Sequence, residues 1–257
     1  MDPITLIGCL GGFIIVMLVL ILEGGSPSSI LLIAPLLLVF GATLAVGAAG
    51  MSFKLFVASF KSAAKAMVTG PPKYGDLLET LVSCANIARR DGLLSLEATV
   101  SELENPLLRR GLELAIDGTD PADLQRILEA ELHSETVYGG RQAKLFMDMG
   151  GYAPTIGILG TILGLVTVLG NLSNPDELGH MIAAAFVAAM WGVLSANIFW
   201  IPISNKIKLL NELHNTQGEV IIEGILAIQA GANPRMVERR LQALLPTDVM
   251  QSIEKAA

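Results

Sequence analysis

Three histidines (His133, His180 and His214) and two cysteines (Cys9 and Cys84) are scattered along the chain. No HExxH, CxxC, Walker A, GxSxG or Rossmann spacing brings them or their neighbours into a working set. Asp117, Asp120 and Asp123 read as a turn and a helix start rather than as an acid–base pair. Gly157, Gly160 and Gly164 lie inside an apolar run, where close helix packing is a better reading than a phosphate loop. These absences argue against an enzyme, a metal site, a cofactor and a disulfide framework. What remains is a set of polar residues in apolar company: Pro154, Thr155, Thr161, Thr167, Ser195, Asn197 and Pro202. Hydroxyls and proline-freed carbonyls there can meet an ion or a partner's polar group. The same residues also suit ordinary transmembrane packing with two proline kinks, and periodicity alone does not choose.

The elements that hold these residues follow from composition. Only 16% of the 257 residues are charged, 52% are apolar, and the mean hydropathy is +0.59. A soluble domain averages about 25% charged residues, so lipid is part of this chain's solvent. A net charge of −7 and a pI near 5.0 disfavour a nucleic-acid partner. Four stretches are apolar enough to cross a bilayer: Ile4–Leu22, Ile30–Ala49, Gly151–Gly170 and Met181–Ile203, none with an Asp, Glu, Lys or Arg. Met1-Asp2-Pro3 lacks the positive start of a signal peptide and no A-x-A site follows, so the first is expected to be a retained helix. All 17 basic residues fall within 51–150 and 204–257. Basic loops stay inside, which places both termini and the long loop in the cytoplasm. The expected fold is all-α and polytopic. It has transmembrane helices 1 and 2 in 1–50, a cytoplasmic helical domain in 51–150, transmembrane helices 3 and 4 in 151–203, and cytoplasmic helices in 204–257.

Spans one and two are rich in Leu, Ile and Val, as lipid-facing helices should be. Spans three and four carry small residues at one-turn intervals, Gly160 and Gly164, then Ala184, Ala188, Gly192 and Ala196. Such ladders let backbones approach closely. In the loop, Lys54, Lys61 and Lys65 interleave with Leu55, Val57 and Phe60 as in a membrane-surface helix, which Pro71-Pro72 ends. A helix starts at Asp120-Pro121 with Leu124, Ile127, Leu128 and Leu132 in one stripe, and Asn233-Pro234 opens a last one. Arg89, Arg90 and Glu97 read either as a solvated surface or, if Gly92 does not end their helix, as one charged face suited to electrostatic docking. Ion relays need an ionisable group at depth, usually a carboxylate. None is present here, so a second subunit must supply the acid if protons or sodium pass.

Several stretches carry a family resemblance. They are Ala88-Arg89-Arg90-Asp91-Gly92-Leu93-Leu94-Ser95-Leu96-Glu97, Gly151-Tyr152-Ala153-Pro154-Thr155-Ile156-Gly157-Ile158-Leu159-Gly160-Thr161, Pro202, and Glu223-Gly224-Ile225-Leu226-Ala227-Ile228-Gln229-Ala230-Gly231-Ala232-Asn233-Pro234-Arg235. With the four-span plan, the chain resembles the MotA/PomA-type stator subunits of the bacterial flagellar motor, of the MotA/TolQ/ExbB proton channel superfamily, over nearly its whole length. The resemblance implies five such subunits in the inner membrane around a dimer of a MotB/PomB-type partner. That partner brings one transmembrane Asp per chain and a peptidoglycan-binding domain, and ion passage at the Asp drives motility. It implies that Arg89, Arg90 and Glu97 engage the rotor protein FliG. Pro154 and Pro202 match prolines tied to ion-coupled change, and Thr161 a hydroxyl lining the ion path. Sodium-driven relatives carry a second Thr in span four where this chain has Ala188-Ala189. Hard cations want oxygen ligands, so the loss favours H+ over Na+.

Three other readings compete. An ExbB/TolQ-type energy-transducing subunit usually has three spans, which weighs against it. A self-sufficient channel would pass ions alone. A passive scaffold would tolerate Pro154→Ala.

Overall fold

The computed structural model of the protein describes residues 3–173, 175–245 and 249–250. Met1 and Asp2, part of the start weighed against a cleaved leader, lie outside the described residues, as does the side chain of Asp176. All regular structure among the described residues is helical. The chain packs as two compact units, Met1–Gly70 with Gly139–Leu209 and Pro71–Tyr138 with Leu210–Ala257.

The first unit begins with α1 (Ile4–Leu22), apolar all round and with no residue buried within the chain. After a single turn, α2 (Pro27–Ile30), the second apolar stretch runs as α3 (Ile33–Leu36), a π-helical turn (Leu37–Gly41) and α4 (Ala42–Ala49). The expected span from Ile30 therefore starts at Ile33. The reason is Pro35: it has no N–H to donate and its ring would meet the carbonyl of a helical Leu31, so it fits only the first turn. Leu31 and Leu32 accordingly leave the helical path, at ψ 55 and 128. The Ile30 carbonyl released by this break accepts a buried 2.7 Å hydrogen bond from Trp191 Nε1.

α5 (Phe53–Val68) is capped by the Ser52 hydroxyl, which accepts from the Leu55 amide at 3.3 Å. It buries Ser59, Ala63 and Ala66 and leaves Lys54, Lys61 and Lys65 exposed. α9 (Pro121–Gly170) is one unbroken helix that runs through Gly150-Gly151 and Pro154. α10 (Pro175–Ser195) passes through a second π turn (Ala196–Trp200) into α11 (Ile201–Gln229). Pro202 would meet the Ile198 carbonyl in a regular helix, and the widened turn falls where that carbonyl must be displaced. Ile4–Leu22, Pro121–Gly170 and Glu177–Gln229 are long and apolar enough to cross a membrane, and Ile33–Ala49 is apolar but shorter.

Aromatic rings tie this unit together. Phe56, Phe60, Phe146, Trp200, Phe40, Trp191, Phe13 and Phe199 form a chain in which successive ring centroids lie 5.1–6.4 Å apart. Such pairs contribute about 0.5–1.5 kcal/mol each beyond their buried area.

The second unit holds α6 (Tyr74–Asp91), a 3-10 turn (Leu93–Leu96), α7 (Glu97–Ser101), α8 (Pro106–Ile116), the start of α9, the later part of α11, and α12 (Pro234–Ala243). Asn105, Asp120 and Asn233 cap α8, α9 and α12, accepting from the amides of Leu108, Ala122 and Arg235 at 3.0, 3.0 and 3.1 Å. Leu81, Leu96, Leu108, Leu112, Leu124, Leu128, Ile221 and Ile225 form a dry core. Ile127, expected in the α9 stripe, is 43% exposed. It lies about 100° around the helix from Leu128, off the Leu124–Leu128–Leu132 line that faces the core. Cys84 is buried in this core, where burial pushes its thiol up, as for an inert packing residue.

Candidate functional site

In the first unit the small residues of α9 and α10 meet along one seam. A β-carbon on Gly157 would lie 2.9 Å from the Ala188 carbonyl oxygen and 3.1 Å from the Gly192 α-carbon. One on Gly160 would meet the Ala188 β-carbon at 2.5 Å, and one on Gly164 the Ala185 β-carbon at 2.5 Å. From the other side, a β-carbon on Gly192 would lie 2.7 Å from the Ala153 carbonyl oxygen and 3.3 Å from the Pro154 α-carbon. Two backbones touch here because nothing stands between them. Pro154 sits against Gly192, Ala188 is buried, and Ala189 is half-buried with its α-carbon beside Gly157.

The hydroxyls of this region spend their protons on their own helices. Thr161 Oγ1 donates to the Ile158 carbonyl at 2.7 Å, Thr155 to Tyr152 at 2.8 Å and Thr167 to Leu163 at 3.0 Å. The buried Ser195 donates to Gly192 at 3.3 Å. A hydroxyl with its proton so committed offers only lone pairs outward. It can accept from a protonated carboxyl group or contribute to a cation's shell, but it cannot itself hold a charge. Pro202, half-buried at the start of α11, follows the π turn rather than sharing the seam. Among the described residues no group of histidine, cysteine and carboxylate side chains could hold a metal ion, and His133, His180 and His214 are exposed.

In the second unit, Gly92 ends α6 with φ +87 and ψ 164, a conformation that glycine alone adopts freely. The expectation that Arg89, Arg90 and Glu97 share a helical face therefore fails: the two arginines close α6 and Glu97 opens α7 beyond the 3-10 turn. All three are exposed. Arg90 donates to Asp91 from Nε and from the guanidinium end, at 2.9 and 2.7 Å. This bond lifts the arginine's pKa and holds the Asp91 carboxyl below the usual carboxylate range. Asp91 thus favours the folded tip above its ordinary pKa, an effect lost only as pH falls through the lowered value. Arg89 and Glu97 carry no ion pair among the described residues.

Two features escaped the sequence reading. The Trp191–Ile30 bond depends on a helix break that hydropathy does not register, though Pro35 is its signal. Lys206 is buried although it lies beyond the apolar run, and no periodicity marks it.

A sequence model described as the MotA/TolQ/ExbB proton channel family matches residues 99–219. The chain is 32% identical over 253 residues to motility protein A of Bacillus subtilis (strain 168), covering 96% of this chain and 92% of that one. It is 30% identical over 245 residues to the chemotaxis protein PomA of Vibrio alginolyticus, covering 95% and 96%. Among solved structures, C. jejuni MotAB matches with a TM-score of 0.91 at 28% identity, covering 96% and 97% of the two chains. The flagellar MotAB stator complex of B. subtilis matches at 0.87 and 30%, covering 96% and 98%.

Proposed function

We propose, from the premise that the chain belongs to the MotA/TolQ/ExbB proton channel family on its motility-protein-A side, that it is the flagellar stator subunit that works with a MotB-type partner. It is a non-enzymatic component of an ion channel. In this reading four helices span the bacterial inner membrane, with α3–α4 as the second, and both termini are cytoplasmic, where the basic residues lie. Residues 51–150 and 204–257 form the cytoplasmic part. Five copies surround two partner chains whose transmembrane Asp carries the ion, and the Arg89–Arg90–Glu97 tip works on FliG.

The observation that carries the reading is the charge-free seam of α9 and α10. It offers Thr161 lone pairs beside closely packed backbone and no acid of its own, which suits a subunit built around another chain's carboxylate. The test is to purify the tagged chain from its native membrane in mild detergent and determine what accompanies it, and in what mass ratio. A single-span partner with one membrane Asp and a cell-wall domain, at two copies per five, is the expected result. A stable homo-oligomer with no such partner overturns the reading.

Two smaller predictions belong here. Arg90→Glu or Glu97→Lys weakens torque severalfold while the membrane complex still assembles, because exposed charges steer association more than they stabilise a fold. Bead-rotation assays beside a complex-yield measurement check this, and lost assembly would contradict the docking role. Ala189→Thr adds a hydroxyl to the seam and makes swimming speed respond to sodium, which the unchanged chain does not. Equal indifference to sodium in both removes the basis for assigning protons.

A further inference from the structure

In a chain whose net charge is −7, the sequence has no Asp or Glu from Gly24 to Gly75, and within that stretch α5 carries three lysines. The three cations share one side of the helix. At about 100° per residue Lys54, Lys61 and Lys65 fall within a sector of about 40°. They point away from the side that holds Phe60 and the buried Ser59, Ala63 and Ala66. All three are exposed, and among the described residues none has an ion pair.

The aromatic rings fix the height of this helix. A helix leaving the membrane straight down from Ser52 would place Phe60 about 12 Å further into the cytoplasm. Instead the Phe60 ring lies 5.2 Å from that of Phe146, which stacks on Trp200 at 6.4 Å. Trp200 lies inside the fourth expected span, and Phe146 stands five residues before the third one begins. α5 therefore runs along the inner membrane surface rather than away from it. The rings occupy its inward side, so the lysines face outward at the level of the lipid headgroups.

We propose that α5 is a docking surface for anionic phospholipid headgroups, held by Lys54, Lys61 and Lys65 together. The proposal rests on the membrane orientation given above. An uncompensated row of cations in the headgroup layer is the complement of a net negative lipid, whereas phosphatidylcholine carries its own cation. Exposed ammonium groups on flexible stems respond to surface charge rather than to the shape of one lipid. A lysine at an anionic surface contributes about 1 kcal/mol, roughly a fivefold preference, and salt screens it.

Electron spin resonance of the intact complex, reconstituted in phosphatidylcholine vesicles with a trace of spin-labelled lipid, tests this. The protein immobilises spin-labelled phosphatidylglycerol with roughly fivefold higher affinity than spin-labelled phosphatidylcholine. The preference falls toward parity in about 1 M salt. A triple variant, Lys54→Gln with Lys61→Gln and Lys65→Gln, loses most of it. A second measurement needs no variant: in nanodiscs, a water-soluble acetylating reagent modifies the three lysines severalfold more slowly with phosphatidylglycerol than with phosphatidylcholine. An unchanged preference in the triple variant overturns the proposal, as does equal acetylation in the two lipids. Lysines already protected in phosphatidylcholine overturn it too, since a neighbouring protein then covers α5. Recovery of the partner chain in the same preparation reports on the stator reading separately, so loss of the lipid surface and loss of that reading are distinguishable.

Discussion

Gly192→Val abolishes motility and sharply lowers the yield of assembled complex. At Gly192 even a β-carbon would lie 2.7 Å from the Ala153 carbonyl oxygen, 3.0 Å from the Gly157 α-carbon and 3.3 Å from the Pro154 α-carbon. All of these are main-chain atoms inside helices, so no side chain can rotate aside. The helices must separate, and the contacts of Gly160 with Ala188 and of Gly164 with Ala185 go with them. Overpacking a close-packed site costs about 1–3 kcal/mol, and valine's two further methyl groups put this case at the upper end. Gly140→Ala is the control: it lies in the same α9, a β-carbon there meets nothing within 4 Å, and alanine suits a helix better. Soft-agar swimming and size-exclusion yield measured on both variants decide the matter. Wild-type swimming by Gly192→Val would mean that the seam is not needed in the working complex.

Ion flux through the purified chain alone is the second large effect, and it is an absence. Reconstituted without its partner, the chain passes neither protons nor sodium above the lipid background under an imposed gradient. The four apolar stretches Ile4–Leu22, Ile30–Ala49, Gly151–Gly170 and Met181–Ile203 contain no Asp, Glu, Lys or Arg, and the Thr161, Thr155 and Thr167 protons are held by their own helices. An unpaired charge moved from water to a dry interior faces a barrier of order 20 kcal/mol before relaxation. Three hydroxyl oxygens do not offset it. A pH-sensitive dye inside the vesicles reads the result. Specific flux from the chain alone would make it a self-sufficient channel and remove the need for a borrowed carboxylate.

Much of this architecture could be read before the structure, for local reasons. The helix starts at Asp120-Pro121 and Asn233-Pro234 follow from capping chemistry within a few residues, and both side chains accept the expected amides. The small residues of spans three and four are visible as a period. Their pairing is not, because setting Gly157 opposite Gly192 depends on the register of two helices far apart in sequence. The break before Ile33 was missed because hydropathy is blind to a proline's effect on the residue four before it. Arg89, Arg90 and Glu97 were legible as exposed charges, but whether Gly92 would end α6 turned on a backbone angle. Nor could the sequence show that 71–138 and 210–257 share one core, since that requires two distant segments to meet.

Both tryptophans of the chain, Trp191 and Trp200, belong to the aromatic chain of the first unit, and the second unit has none. Their surroundings differ: Trp191 Nε1 is bonded to the Ile30 carbonyl, whereas Trp200 Nε1 is buried without an acceptor at the end of the π turn before Pro202. Tryptophan emission from this protein, excited at the red edge where tyrosine does not absorb, therefore comes wholly from the first unit. Of its two indole sources, one is anchored, and the other would shift its colour if the turn at Ala196–Trp200 rewound and water or a carbonyl reached it. The subunit carries its own optical gauge of movement beside the seam, one that needs no attached dye.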